Sequence, residues 1–360
     1  MTLFLDSNAH LPMHPKAVEA FVSFNKSLAG HGHPMSLSSP GRASKQIIEE
    51  SRAKIAKFIG AKKESQIVFT STCTQACEWG LEILTAQKFD KVFTSTIEHK
   101  SVAQKSRTLF GNNDLFVSKS GIVSCEYSPA KNSAFVCIHV QNEIGTIQPI
   151  EKIQVPFFSD MSQSLGKIPI DVSSIPNLKV AAFGAHKFGG PAGVGFIYIQ
   201  DPKWWKEFGI GSRYHFDRPG TPDVAMIYAA AIALEEAINT LSTRYEKALI
   251  FRSILEKSVQ EMGLEVIGYN ASRIPHVTLI NIGSRMASHV VHHLESEGIY
   301  IGRGSACDSL RASSNPIMTA LGYGGHAEDY IRISQWGDYG PAEAKELVRG
   351  LLKYCPRADI

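Results

Sequence analysis

The sequence predicts an α/β protein with a large domain built on a mostly parallel sheet and a smaller α/β domain at its C-terminal end. From about residue 45 to 250, short apolar runs alternate with longer amphipathic stretches, the pattern of successive βα units with helices covering both faces of a sheet. A long helical stretch over 223–262 then reads as a connector. Beyond it, further short apolar runs and two more helical stretches are enough for a second unit. A chain of 360 residues, 44% hydrophobic and 20% charged, is also long enough that one core is expected to divide into two.

Taken in order, strands are predicted at 66–70, 91–95, 134–140, 157–160, 180–183 and 194–199, each a run rich in Val, Ile, Phe and Thr. Helices are predicted at 44–59, 74–87, 101–110 and 226–253. The second unit is predicted to hold strands at 265–267, 276–280 and 330–334, with helices at 287–296 and about 341–355. Three Ser/Gly/Pro-rich patches, 30–41, 209–222 and 302–316, read as loops. Separated loops of that length are more than a compact domain usually carries, and they point to function.

Thirty-seven basic against 34 acidic side chains give a net charge of +3, a balance that does not mark a nucleic-acid-binding or membrane-surface protein. No run approaches the ~20 apolar residues of a membrane span, and the first residues do not read as a secretory signal. The six cysteines (73, 77, 125, 137, 307 and 355) are scattered, as expected for reduced thiols in a cytoplasmic protein. Cys73 and Cys77 have no neighbouring His/Cys pair at zinc-site spacing, and no metal is expected there.

The chemistry centres on 180–195, VAAFGAHKFGGPAGVG. An apolar strand delivers His186 and Lys187 into a Gly-rich turn, followed by a second apolar strand. A lysine just after a strand is held rigidly and partly desolvated, which disfavours its ammonium form as a Schiff-base lysine requires. A hairpin-like connection carrying one surface lysine explains the segment equally well. Upstream, Asp160 ends the run FFSD, where a carboxylate needs a cationic partner to stay ionised; by itself it also reads as a turn or capping residue. Asn142 in HVQNEIG and His99 in TIEHK occupy similar places after strands. Ser71-Thr72-Cys73-Thr74 follows a strand and opens a helix, offering hydroxyls and a helix N-terminus to a phosphate. Cys307 lies in the loop GRGSACDS beside Arg303, surroundings that favour an accessible thiolate, and Arg332 in YIRIS could bind a carboxylate. An inert cysteine and a structural ion pair are the plain alternatives for these two.

These motifs together resemble the NifS/IscS-type cysteine desulfurases of the class-V aminotransferase group, pyridoxal-5′-phosphate (PLP) enzymes of fold type I. FTSTCT, EHK, HVQNEIG, SDMSQSLGK, AHKFGGP, PGTPD, GSAC and IRIS keep the family's order over nearly the whole chain. The resemblance implies a large PLP-binding domain over 13–245 and a small domain from 1–12 and 246–360. It implies that Lys187 carries the cofactor, Asp160 pairs with the pyridinium, Gln163 bonds the ring hydroxyl, and His99 stacks on the ring and moves protons. Thr74 and His186 match phosphate ligands, and Thr221 matches one supplied by the neighbouring subunit of a homodimer. Asn142 and Arg332 match residues that hold the substrate carboxylate, Asn142 also lying near the ring. Cys307 matches the nucleophile that takes sulfur from L-cysteine, leaving L-alanine and a persulfide for an acceptor protein. Iron–sulfur cluster assembly, tRNA thiolation and sulfur-modified DNA all begin with this reaction in the family.

The chain departs from the family at several positions. The phosphate-cup motif, often GATE, reads TCTQ; a serine usual before the lysine is Gly184; and Arg303 and Asp308 flank the nucleophile segment. A C–S lyase, a selenocysteine lyase or an aminotransferase on the same fold would keep Lys187 and Asp160 without needing Cys307. A non-catalytic scaffold in a sulfur-transfer complex would need neither Lys187 nor Cys307.

Overall fold

A computed structural model of the chain describes residues 2–126, 132–207, 220–283, 286–304, 314–324 and 326–355. Its strands are β1 (Leu3–Leu5), β2 (Ile67–Thr70), β3 (Lys91–Ser95), β4 (Asp114–Leu115), β5 (Ser133–Val136), β6 (Phe157–Asp160), β7 (Leu178–Gly184), β8 (Gly195–Ile199), β9 (Glu265–Val266), β10 (Val277–Asn281), β11 (Ile299–Ile301) and β12 (Tyr330–Ser334). Seven of them form one sheet in the order β2-β8-β7-β6-β5-β3-β4. Every pairing is parallel except those of β8, which runs antiparallel to both β2 and β7. The sheet is therefore mostly parallel, as the sequence predicts.

Side chains on a strand alternate between faces, and here each face has its own core. Phe135, Phe157, Ala181, Phe183, Phe196 and Tyr198 join the cluster under the helices Pro15–Lys26, Ser39–Ile59 and Val224–Asn239. Ala134, Val136, Phe158, Val180, Ala182 and Ile197 join the opposite cluster, under Cys73–Ala86 and Lys100–Phe110. Phe157 and Phe158 are both fully buried, one on each face. At about 1.5–3 kcal/mol for each such side chain, they clamp β6 and so fix where its last residue, Asp160, emerges.

A third core joins β1, β10, β11 and β12 to the helices Leu241–Glu261, Ala287–Ser296 and Pro341–Tyr354. There β1 pairs parallel with β11, while β10 lies antiparallel between β12 and β9. Bridges from Asp6 to Ser334 and from Gly302 to Arg332 tie the two small sheets together. The N-terminal strand thus packs with elements some 300 residues later in the chain.

Several predicted bounds are corrected. The run at 134–140 is a strand only to Val136; Cys137 and His139 still donate their backbone N–H groups to the Phe158 and Asp160 carbonyls, and the chain then turns to bring Asn142 to the cavity. The helix expected over 226–253 is two helices, Val224–Asn239 and Leu241–Glu261, bent by 63° at Thr240. Thr240 donates its hydroxyl to the Glu236 carbonyl at 2.7 Å and so closes off the first helix. The helix Pro15–Lys26 and the strands β1, β4 and β11 were not predicted; β1, β4 and β11 are only two or three residues long. Among the described residues no single helix is long and apolar enough to cross a membrane. The five described cysteines are free thiols.

Candidate active site

The carboxyl ends of β3, β5, β6 and β7 meet at one edge of the large sheet, where open α/β sheets gather ligands. A cavity of about 200 Å³ opens there, and it brings together Thr74, His99, Asn142, Asp160, Gln163, His186, Lys187 and Arg332. Thr221 does not line it: it is exposed, with its hydroxyl 3.4 Å from His33 Nε2. Cys307 and Asp308, with most of the 302–316 loop, lie outside the described residues.

Lys187 closes a single helical turn after β7, and β8 then returns antiparallel to β7. The connection is the hairpin type that the sequence also allowed, yet its lysine is half-buried in the cavity. Lys187 Nζ donates to the carbonyl oxygens of Asn8 at 2.6 Å and Ala9 at 2.9 Å. Asp160 is 6% exposed, and its Oδ1 accepts from the Ser162 backbone N–H at 3.0 Å. Among the described residues no cation pairs with this carboxylate, so the turn role and an unfilled demand for a positive partner coexist in one side chain. His99 likewise does both things expected of it. It caps the helix Lys100–Phe110 through Nδ1, which accepts from Ser101 N–H at 3.3 Å, while its ring lines the cavity. Nδ1 also lies 2.8 Å from Ser101 Oγ.

The phosphate cup is built by a close approach of backbone to backbone. Thr72 caps the helix Cys73–Ala86 by accepting from Gln75 N–H at 3.1 Å, which leaves the helix N-terminus facing the cavity. A Cβ at Gly195 would lie 2.8–2.9 Å from Phe183 O, Thr72 C and Cys73 N, so only glycine lets β8 pass beneath this turn. Gly184, where the family has a serine, is also confined: a Cβ there would meet Cys73 Cβ at 2.9 Å and His186 Cε1 at 3.1 Å. Burial, with Lys187 second, lowers His186 to about 3, so it meets the site as a neutral imidazole. His10 stacks on it with ring centroids 5.9 Å apart.

Asp6 pairs with Arg332, which is 1% exposed, its Nη2 lying 2.6 Å from Asp6 Oδ1. Its Nη1 donates to the Asn142 carbonyl at 3.3 Å, and its buried Nε has no partner among the described residues. The structural ion pair is present, and Arg332 also lines the cavity. Cys73 and Cys77, whose sulfurs are 3.9 Å apart, lie with the Asp160 carboxylate within 4.8 Å of one another. The Cys77 thiol is pushed well up, first by its hydrogen bond with Cys73 and then by burial, which keeps it protonated.

Four residues of the site were not singled out from the sequence. Asn8 is its hub: its Nδ2 donates to the Asn142 carbonyl, its carbonyl serves Lys187 and Gln163, and its Oδ1 faces Lys167 and His276. Lys167 and His276 are buried, and burial lowers both well below their ordinary values. Glu98 is buried beside Asp160, and burial raises it to about 8; as a neutral acid it adds no second negative charge there. The residue adjoining His99 in EHK and the lysine closing SDMSQSLGK were visible signals for two of the four. Asn8 and His276 become legible only once β1 and β10 are placed against the large sheet.

The donor set suits PLP: a buried carboxylate with no cation beside it among the described residues for a pyridinium, a lysine in the same cavity, and a helix N-terminus for a phosphate. Comparison with known proteins agrees. Residues 3–340 match the aminotransferase class-V family model, and the chain belongs to that family. Over 89% of its length it is 30% identical to the cysteine desulfurase IscS of Dictyoglomus turgidum, covering 85% of that protein. It is 29% identical to IscS of Methanosarcina thermophila over 89% of its length, covering 83% of that protein. A NifS-like protein of known structure superposes with a TM-score of 0.86 at 25% identity, covering 98% of this chain and 99% of that one. Within its family the chain stands among the PLP-dependent cysteine desulfurases.

Proposed function

We propose that this chain takes sulfur from L-cysteine in the cavity at the end of the large sheet, releasing L-alanine and leaving a persulfide on Cys307. The observation that carries the reading is the meeting of Lys187, Asp160, His99, Gln163, Asn142 and Arg332 in one cavity. PLP, when bound, supplies an electron sink for the bonds around the substrate α-carbon. Lys187 holds it, Asp160 answers its ring cation, and Thr74, His186 and the helix N-terminus answer its phosphate. Arg332 and Asn142 hold the substrate carboxylate and so fix which α-carbon bond faces Lys187. Lys187 Nζ, displaced by the substrate amine, takes the α-proton, and the His99 ring covers the opposite side and returns protons through Nε2. The Cys307 thiolate forms an S–S bond to the substrate sulfur as the carbon–sulfur bond breaks, its electron pair remaining with carbon. An acceptor thiolate then attacks the outer sulfur of the persulfide.

The acceptor is a sulfur-carrier or scaffold protein feeding iron–sulfur cluster assembly or tRNA thiolation, and the free thiols support a reducing, cytoplasmic setting. The enzyme works as a homodimer in which Thr221 reaches the partner's phosphate. Two observations support this. Thr221 is exposed and away from its own chain's cavity. Val18, Val22, Leu28, Met35 and Leu37 leave apolar side chains 39–89% exposed within one short segment, a density that marks an interaction surface.

The test follows alanine and sulfide together from PLP-loaded protein, L-cysteine and a thiol reductant that releases the persulfide sulfur as sulfide, with Cys307→Ala alongside. Equal products from the wild type, and no sulfide from the variant, are expected. Turnover that survives in Cys307→Ala would make the enzyme a C–S lyase, and absence of PLP binding would make it a scaffold.

A further inference from the structure

Behind the wall of the cavity lies a lysine that the reaction as described does not use. Lys167 is fully buried, four residues after Gln163 in the turn that follows β6. Its Nζ donates to Gln163 Oε1 at 2.5 Å and faces Asn8 Oδ1 at 3.2 Å. The other end of the Gln163 amide is also fixed, since Nε2 donates to the Asn8 carbonyl at 3.2 Å. A carbonyl oxygen can only accept, so the Asn8 carbonyl takes Nε2 on its side and leaves Oε1 to accept from the lysine. The amide therefore has one orientation. Turned over, Oε1 would oppose the Asn8 carbonyl and Nε2 would oppose the lysine's hydrogens.

We infer that Lys167 is a positioning residue that holds the Gln163 amide with its donor toward the cavity, and thereby sets the protonation of the Lys187-bound cofactor. Of the two hydrogens on Gln163 Nε2, one is used on Asn8 and the other remains for the cavity. This rests on the assignment of Lys187 as the cofactor lysine and of Gln163 as the ring-hydroxyl donor. A donor at an anionic ring oxygen stabilises that anion and weakens its hold on the proton shared with the lysine-derived nitrogen. Without the donor, the proton is held to higher pH. The burial of Lys167 has a matching cause: the lysine sits between two acceptors in a site that already contains Lys187 and Arg332, and burial followed by those two charges lowers its pKa well below the ordinary lysine value.

The experiment titrates the visible absorbance of PLP-loaded protein against pH for the wild type, Lys167→Met, Gln163→Leu and the double variant. Binding of PLP is measured separately by fluorescence quenching, and folding by urea unfolding. Lys167→Met is expected to raise the absorbance midpoint by about one pH unit, and to leave it unmoved in the Gln163→Leu background. If the two shifts add, Lys167 acts through its own charge and the positioning role is overturned. If Lys167→Met folds, binds PLP and titrates like the wild type, the proposal is likewise overturned. A visible band that survives in Lys187→Ala would instead strike the underlying lysine assignment. Should Lys167→Met fail to fold, Lys167→Gln, which keeps a donor for Gln163 Oε1, is expected to titrate within about 0.3 units of the wild type, and a shift as large as that of Gln163→Leu overturns the proposal.

Discussion

Cys73 and Gly184 meet where the phosphate cup rests on the strand beneath it. The helix that makes the phosphate cup begins with a cysteine, and the strand beneath it gives up a side chain at the point of contact. A serine at 184 would restore a hydroxyl but would place its Cβ 2.9 Å from Cys73 Cβ and against the His186 ring. Gly184→Ser is therefore expected to cost about 1–3 kcal/mol of stability, as overpacking does, and to weaken PLP binding. Cys73→Gly in the same chain should recover most of both losses, because it removes the Cβ in contact. Urea unfolding and PLP titration on the four members of this cycle test the coupling; additive effects would mean that the two positions do not press on one another. At this scale the sequence was legible wherever a motif carried its own chemistry: the cavity gathers Asp160, His99 and Lys187 from motifs far apart in the chain. It was not legible for Asn8, whose hydrogen bonds reach partners more than 100 residues away.

Secondary elements were readable in proportion to how much of their apolar surface is local. β3 and β6 fall at the predicted residues because each has its apolar side chains within the run itself, Val92 and Phe93 in β3 and the fully buried Phe157 and Phe158 in β6. β1 and β11 have only three residues each, buried, exposed, buried, and exist because they pair with each other. The break between the two long helices was hidden because no Gly or Pro marks it, only Thr240, where the axis turns. The second of these helices is held to the small sheet by Glu256, whose two carboxylate oxygens accept from Arg273 Nη2 at 2.8 and 3.0 Å, with Thr278 Oγ1 donating at 3.0 Å. Both ionic side chains are under 10% exposed. Glu256→Ala should leave the Arg273 guanidinium buried without its counter-charge and destabilise the fold by about 3–5 kcal/mol. The paired change Glu256→Met with Arg273→Leu should cost clearly less, since it removes both charges together. Denaturant unfolding separates the two outcomes, and an equal loss from both would show that packing, not charge, is what this pair contributes.

On the scale of the whole molecule, the chain's own cavity holds every proposed cofactor ligand that the structure describes except Thr221. That hydroxyl is exposed beside His33, next to the segment where Val18, Val22, Leu28, Met35 and Leu37 present apolar surface. The proposed dimer would cover this surface and carry Thr221 into the opposite site. Two measurements follow from this arrangement. Leu37→Asp should shift the sedimentation of the protein toward that of a 39.4 kDa monomer and weaken PLP binding in the same preparation. The sharper test mixes Lys187→Ala and Thr221→Ala subunits after reversible dissociation. In a mixed dimer, the site built on the Thr221→Ala chain keeps its own Lys187 and receives an intact Thr221 from its partner. PLP titration should then reveal one site of wild-type affinity per mixed dimer, although each parent dimer has none. If Thr221 instead served its own chain, both sites of the mixed dimer would stay defective and mixing would restore nothing.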